Sequence, residues 1–160
     1  MADDFNEIRG DSTDENLIGT DGQDDIQGGA GNDTIDGAGG DDILEGGAGD
    51  DIIRGGSGYN TAVYYAYESD FEPIGVPDSN GLITLTPSAN PSVNLGTDQL
   101  YNIQAITFYE YNDYLGTYLP YTRVVDDYSN LVSTDAPDVV FGQSLGGILN
   151  YTNDRERAHV

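Results

Sequence analysis

Residues 10–63 read GDSTDENLI (10–18), GTDGQDDIQ (19–27), GGAGNDTID (28–36), GAGGDDILE (37–45), GGAGDDIIR (46–54) and GGSGYNTAV (55–63), six consecutive units of nine. The first slot is always glycine: Gly10, Gly19, Gly28, Gly37, Gly46 and Gly55. The fourth is glycine at Gly22, Gly31, Gly40, Gly49 and Gly58. The sixth runs Glu15, Asp24, Asp33, Asp42, Asp51, Asn60, and the eighth Leu17, Ile26, Ile35, Leu44, Ile53, Ala62, with Ile8 one step upstream. Glycine, acid and aliphatic each keep their own slot, which is the signature of stacked solenoid turns rather than of a flexible linker. A linker needs no Ile or Leu at every ninth residue.

Each slot has a physical role. Alternate residues of a strand point to opposite faces, so one aliphatic per short strand can enter a shared interior. Glycine permits the positive φ and close backbone approach that a tight six-residue turn needs. Such a turn aims carbonyl oxygens inward, and the sixth slot adds a carboxylate. Calcium takes six to eight oxygens at roughly 2.3–2.6 Å in flexible geometry, and this is the donor set on offer. The chain has no Cys, and its one His is His159, so soft-metal chemistry lacks ligands.

Charge points the same way. Twenty-nine acids face five Arg and no Lys, for a net charge of −24, and 16 of the acids lie within residues 1–63 beside only Arg9 and Arg54. Stacked turns lie about 4.8 Å apart. Two carboxylates at about 5 Å repel by roughly 3 kcal/mol at an effective dielectric near 20. Several such pairs exceed a domain stability of about 5–15 kcal/mol. The metal-free repeats are therefore expected to be largely unfolded, with metal binding and folding one event. The acidity also argues against nucleic acid or an anionic membrane surface as a partner.

The pattern GGxGxDxUx, with U aliphatic, resembles the RTX (hemolysin-type) calcium-binding repeats of secreted bacterial proteins, best over Gly19–Arg54. The resemblance implies an all-β fold: a parallel β-roll with two nonapeptides per coil, each turn stacking on the turn eighteen residues away with calcium between them. Carried onto this chain, Asp42 stacks over Asp24 and Asp51 over Asp33. Asp33 over Glu15 and Asn60 over Asp42 are expected to be weaker pairs, each having a non-Asp member. The candidate metal-binding residues are Glu15, Asp24, Asp33, Asp42, Asp51 and Asn60 in the sixth slot, with Asn32 and Asp41 in the fifth. Turn residues Gly19, Gly28, Ala30, Gly37, Gly40, Gly47 and Gly49 complete the set, and two to four calcium ions are expected. The family also implies export by type I secretion, with calcium-driven folding outside the cell and an extracellular location.

Composition changes near residue 60. Eleven of the twelve Tyr lie beyond Asn60, and all Phe except Phe5. Residues 61–67, 81–87 and 96–111 are rich in β-branched and aromatic residues and bounded by Pro and Asn-Gly, so they read as strands. Leu100–Ile106 is the only weak helix candidate. Asn60–Tyr64, Ser69–Phe71, Gly96–Ile103 and Ile106–Phe108 together resemble the β-rich segment that often follows RTX repeats. An open solenoid end exposes strand edges and apolar side chains, so this Tyr-rich half is read as a cap. The expected division is a β-roll over 1–63, a β-rich cap over 64–150 and a tail over 151–160. Thr134–Gly142 partly matches Thr20–Gly28 and either opens a second repeat block or is an acidic loop.

Catalytic constellations do not emerge. There is no HExxH zinc helix and no lysine for a phosphate-binding loop. A Ser-His-Asp triad would have to use the near-terminal His159. Asp126-Asp127 reads as a solvated turn before it reads as an acid-base pair. Met-Ala-Asp-Asp-Phe lacks the basic and apolar regions of a signal peptide, and no stretch is long and apolar enough to span a bilayer. Two functions remain: a non-enzymatic calcium-dependent folding and secretion module, or a module that binds an anionic polysaccharide. The second resembles the R-modules of secreted mannuronan C5-epimerases.

Overall fold

The computed structural model describes residues 5–126, apart from 73 and 76, and 130–134. It is an all-β parallel solenoid followed by an antiparallel hairpin. Each nonapeptide contributes one short strand and one turn, and successive strands fall alternately into two sheets. One sheet begins with β1 (Asn6–Arg9), β3 (Asp24–Ala30), β5 (Ile43–Ala48) and β7 (Thr61–Tyr64). The other begins with β2 (Asn16–Ile18), β4 (Thr34–Asp36) and β6 (Ile52–Arg54). Register follows the eighth slot: Ile8 lies beside Ile26, Ile26 beside Leu44 and Leu44 beside Ala62 in the first sheet. Leu17, Ile35 and Ile53 do the same in the second. Ile26, Ile35, Leu44, Ile53 and Ala62 are all fully buried. The eighteen-residue rhythm and the two aliphatic columns expected from the repeats are those observed.

Glycine is demanded by the close stacking of coils. Gly40 sits at φ 115°, and a methyl there would strike the carbonyl of Gly22 one coil away. At Gly40 a side chain would thus be doubly excluded, by conformation and by space.

The solenoid extends beyond the repeats. After β7 the chain makes an excursion through a three-ten turn at Glu68–Asp70 and through β8 (Leu82–Leu85). Asp70 gathers this loop: it is buried, and its carboxylate accepts from the Tyr67 N–H at 3.0 Å and from the Ser92 N–H and hydroxyl at 2.7 and 2.6 Å. The chain re-enters the stack as β9 (Asp98–Tyr101), parallel to β6, and β10 (Ala105–Asn112), parallel to β7. Leu100 continues the Ile53 column and Ile106 the Ala62 column, both fully buried. β8 pairs antiparallel on β9. β10 turns into β11 (Thr117–Asp126), which pairs with β12 (Asn130–Thr134) at the edge of the first sheet.

Residues 100–106, the one segment with a weak helical reading, are not helical: they end β9, turn at Asn102 and start β10. The segment 96–111 is thus two strands in two sheets, because positive φ at Asn102 (53°) turns the backbone there. Only 61–64 of the segment 61–67 is strand. The expected boundary at 63 falls inside β7. Tyr64, Phe71 and Phe108 close the apolar interior, with ring centroids 5.3–5.9 Å apart. The candidate second block from Thr134 and the tail lie outside the described residues, save Thr134 itself at the end of β12.

Candidate metal centre

The sixth-slot side chains form two columns. In Asp33, Asp42 and Asp51 one carboxylate oxygen accepts the backbone N–H of the residue one coil before it. Glu15 donates to Asp33 Oδ1 at 2.8 Å, Asp24 to Asp42 Oδ1 at 3.0 Å and Asp33 to Asp51 Oδ1 at 2.8 Å. Asp24, Asp33, Asp42 and Asp51 are almost wholly buried. The second oxygen is different. Among the described residues, Oδ2 of Asp33, Asp42 and Asp51 is buried with no hydrogen-bond partner. A bare buried oxygen costs about 1–3 kcal/mol when neutral and more when charged, so three in register call for a counter-charge.

Neighbouring oxygens converge on these atoms. A methyl at Gly28 would collide with both Asp33 Oδ2 and the Gly46 carbonyl, and one at Gly37 with both Asp42 Oδ2 and the Gly55 carbonyl. Carboxylate and carbonyl oxygens thus both crowd against the bare glycine surface. Among the described residues no three acidic or His side chains cluster, so backbone oxygens must supply most of any coordination. That donor set fits calcium, a hard cation content with carbonyls and few carboxylates.

Other sixth-slot positions carry their own donors. Asp24 Oδ2 accepts from the Thr20 N–H at 2.7 Å, Thr20 standing where Gly29, Ala38 and Gly47 adopt positive φ in later turns. Asn6 Nδ2 donates to Asp24 Oδ1 at 2.7 Å. Glu15 Oε2 accepts from the Asp11 N–H at 3.2 Å. Asn60 Oδ1 accepts from the Asp42 N–H at 3.1 Å, while its Nδ2 donates to the Asn102 carbonyl at 3.3 Å. That carbonyl is the counterpart of the Gly46 and Gly55 oxygens, so an amide hydrogen bond there replaces a pair of crowded oxygens.

The fifth slot has a separate role. Asn32 Oδ1 accepts from the Asp50 N–H and Asp41 Oδ1 from the Tyr59 N–H, each at 2.8 Å, at the exposed edge of the stack. Gly19, Gly28 and Gly37 lie beside the sixth-slot carboxylates, whereas Gly40 and Gly49 form fourth-slot columns. Ala30 pairs with Ala48, and Gly47 with Gly29.

Three further residues belong to the columns without being legible as repeats. Asp98 lies 47 residues after Asp51 yet takes its N–H at 2.9 Å, as a sixth-slot residue does. Tyr64 OH donates to Asp98 Oδ2 at 2.9 Å. Gln104 Oε1 accepts the Asn60 N–H at 2.7 Å. The spacing Gly96-x-Asp98-x-Leu100, identical to slots four, six and eight, was the available signal.

Burial, reinforced by neighbouring carboxylates, holds the Asp42 carboxyl up to about 6, Asp51 up to about 7 and Asp98 up to about 6. Burial beside Asp98 also raises the Tyr64 hydroxyl well above its ordinary value.

Parallel coils, glycine turns and bare carboxylates define a β-roll of the calcium-binding kind. Residues 9–44 and 37–62 match the RTX calcium-binding nonapeptide repeat, so this part of the chain is an array of RTX repeats. The structure is similar to the extracellular lipase LipA from Serratia marcescens, with a TM-score of 0.55 and 25% identity over 69% of this chain and 17% of the lipase. It also aligns with the AlgE6R3 subunit of the Azotobacter vinelandii mannuronan C5-epimerase, at a TM-score of 0.37 and 21% identity over 56% of this chain and 71% of that one. No curated protein matches the chain. This chain spans only a small part of the lipase.

Proposed function

We propose that this chain is a non-catalytic module of an extracellular protein that folds when it meets calcium. The observation that carries this reading is the register of three buried, donor-free carboxylate oxygens in a stack of RTX turns. Calcium would supply the positive charge that lets these turns stack. The chain's residues would do the rest: Asp33, Asp42 and Asp51 present oxygens, the glycines admit carbonyls, and the aliphatic columns bury apolar surface as each coil closes. Two to four ions are proposed, with residues 1–63 as the calcium-binding roll and 64–150 as its cap. At low calcium the charge repulsion keeps the chain open, a form suited to passage through a type I secretion apparatus. Among the described residues no helix is long and apolar enough to cross a membrane.

Far-ultraviolet circular dichroism tests this directly. The chain should lack β-structure in EDTA, gain it at millimolar calcium, and not gain it with magnesium, which demands near-octahedral geometry at about 2.1 Å. Spectra identical with and without calcium would refute the reading.

A second reading is supported by the tyrosines on the hairpin and by Tyr65 beside it. Tyr65 stacks on Tyr109 at 4.9 Å, Tyr118 meets Tyr65 and Tyr111 edge-on, and Tyr114 is 95% exposed. Such faces stack on sugar rings, so an anionic polysaccharide such as alginate is the second candidate partner. Titration of alginate oligomers into the calcium-loaded chain, giving no heat, would remove it.

A further inference from the structure

We propose that Asn80-Gly81 is a site of spontaneous covalent modification, shut in the folded chain and open in the calcium-free one, so that residue 80 records time spent unfolded. This rests on the calcium reading above and places its chemistry outside the repeats.

Of the asparagines in the chain, Asn80 alone precedes a glycine. Loss of its side-chain amide needs no enzyme. The Gly81 nitrogen gives up its proton and attacks Asn80 Cγ; a C–N bond forms, and Nδ2 leaves as ammonia. Water then opens the succinimide at either carbonyl, leaving aspartate or isoaspartate at position 80. The change consumes a water and releases an ammonia, with no oxidant or reductant. Glycine favours ring closure because it has no Cβ beside the attacking nitrogen. Asn80 is exposed, and among the described residues nothing lies within 4 Å of where a Gly81 side chain would start. Space and solvent are therefore both available to the reaction.

What the fold withholds is the reacting atoms. Asp78 to Gly81 form a turn that leads into β8, with Gly81 at φ 76°. The Gly81 N–H donates to the Asp78 carbonyl at 3.0 Å, which engages the proton that the attack must remove. Asp78 Oδ1 accepts from the Asn80 N–H at 2.7 Å and from the Leu82 N–H at 3.0 Å. Asn80 Nδ2 donates to Asp78 Oδ2 at 3.4 Å, so the leaving group is held as well. The Leu82 and Asn80 N–H groups keep the Asp78 carboxyl below the usual carboxylate range. A negative charge thus stands beside Gly81 and opposes ionisation of its nitrogen. The shield is made of hydrogen bonds and charge rather than burial, and unfolding removes it entirely. The site also bears on the cap. Isoaspartate inserts a methylene into the main chain ahead of β8, the strand that pairs with β9 and buries Ile83 and Leu85.

Peptide mass spectrometry of the full chain, held at pH 8 in EDTA or in saturating calcium, tests this, with circular dichroism reporting the fold of each sample. Conversion at Asn80 should run on the order of tenfold faster in EDTA, because reaction at a protected site follows the population of the open form. Asn94, exposed but followed by leucine, should stay intact in both. Equal rates at Asn80 in a chain that folds with calcium would overturn the inference. Asp78→Ala tests the shield itself. Folded in calcium, this variant should convert several-fold faster than the wild type, and a wild-type rate would likewise overturn the inference. Should the variant fail to fold, the two wild-type rates decide alone. A wild-type chain whose dichroism did not change with calcium would instead sink the functional reading.

Discussion

Asp42, Asp51 and Asp98 hold their protons more tightly in the folded chain than an ordinary carboxyl does, with values near 6, 7 and 6. Their folded-state affinity for protons exceeds the unfolded one, so they favour the metal-free fold most below about pH 4 and lose that contribution as pH rises through 6–7. The expectation is that β-structure in EDTA grows as pH falls from 8 to 5. The calcium needed for folding should move the opposite way, rising as protons compete for the same oxygens. Circular dichroism across this range checks both, and an EDTA spectrum insensitive to pH would contradict the burial of these groups. Asn60 gives a second residue-scale test. Asn60→Asp removes the amide donor to the Asn102 carbonyl and gives the Asp42/Asn60 pair a second carboxylate. A charged oxygen there adds a ligand for a hard cation. The variant should therefore fold at several-fold less calcium than the wild type at pH 8. A calcium midpoint no lower than that of the wild type would show that the charge in this slot is dispensable.

At the scale of the strand, stability resides in columns of single aliphatic side chains rather than in a broad core. Leu44 touches the coils on both sides through Ile26 and Ala62. Truncation to alanine should cost about 2–5 kcal/mol, the usual range for a packed site. Leu100 lies in the non-repeat half but extends the Ile53 column, fully buried. Leu100→Ala should therefore raise the calcium midpoint of the repeat region as much as Ile53→Ala does. A normal midpoint in Leu100→Ala, read by calcium titration of the dichroism signal, would mean that the cap and the solenoid fold independently.

For the molecule as a whole, a net charge of −24 opposes compaction from two sources. Diffuse repulsion is screened by any salt, with a Debye length of about 10 Å at 0.1 M and 3 Å at 1 M. The pairs inside the turns are too close and too buried for that. Sodium chloride at about 1 M should accordingly shrink the metal-free chain in small-angle scattering without producing β-structure. If salt alone folded the chain, general acidity rather than turn geometry would control it.

The ninefold period sufficed to place the coils, because a repeat is a local instruction: glycine, acid and aliphatic within nine residues dictate turn, oxygen and core in every unit. Two columns of Ile, Leu and Ala, and the sixth-slot carboxylates at their side, follow from that alone. How the stack ends was decided only in three dimensions. Asp98 reaches Asp51 across 47 residues, and Gln104 reaches Asn60 across 44, through an excursion tied by Asp70 whose length has no period. Which carboxylates remain bare was likewise a tertiary matter. Asp24 and Asp51 occupy the same slot, yet Thr20 supplies a donor to one and no residue supplies one to the other's Oδ2. A hydrogen bond depends on where two chains meet, and that meeting is set by the packed fold, not by the spacing of letters.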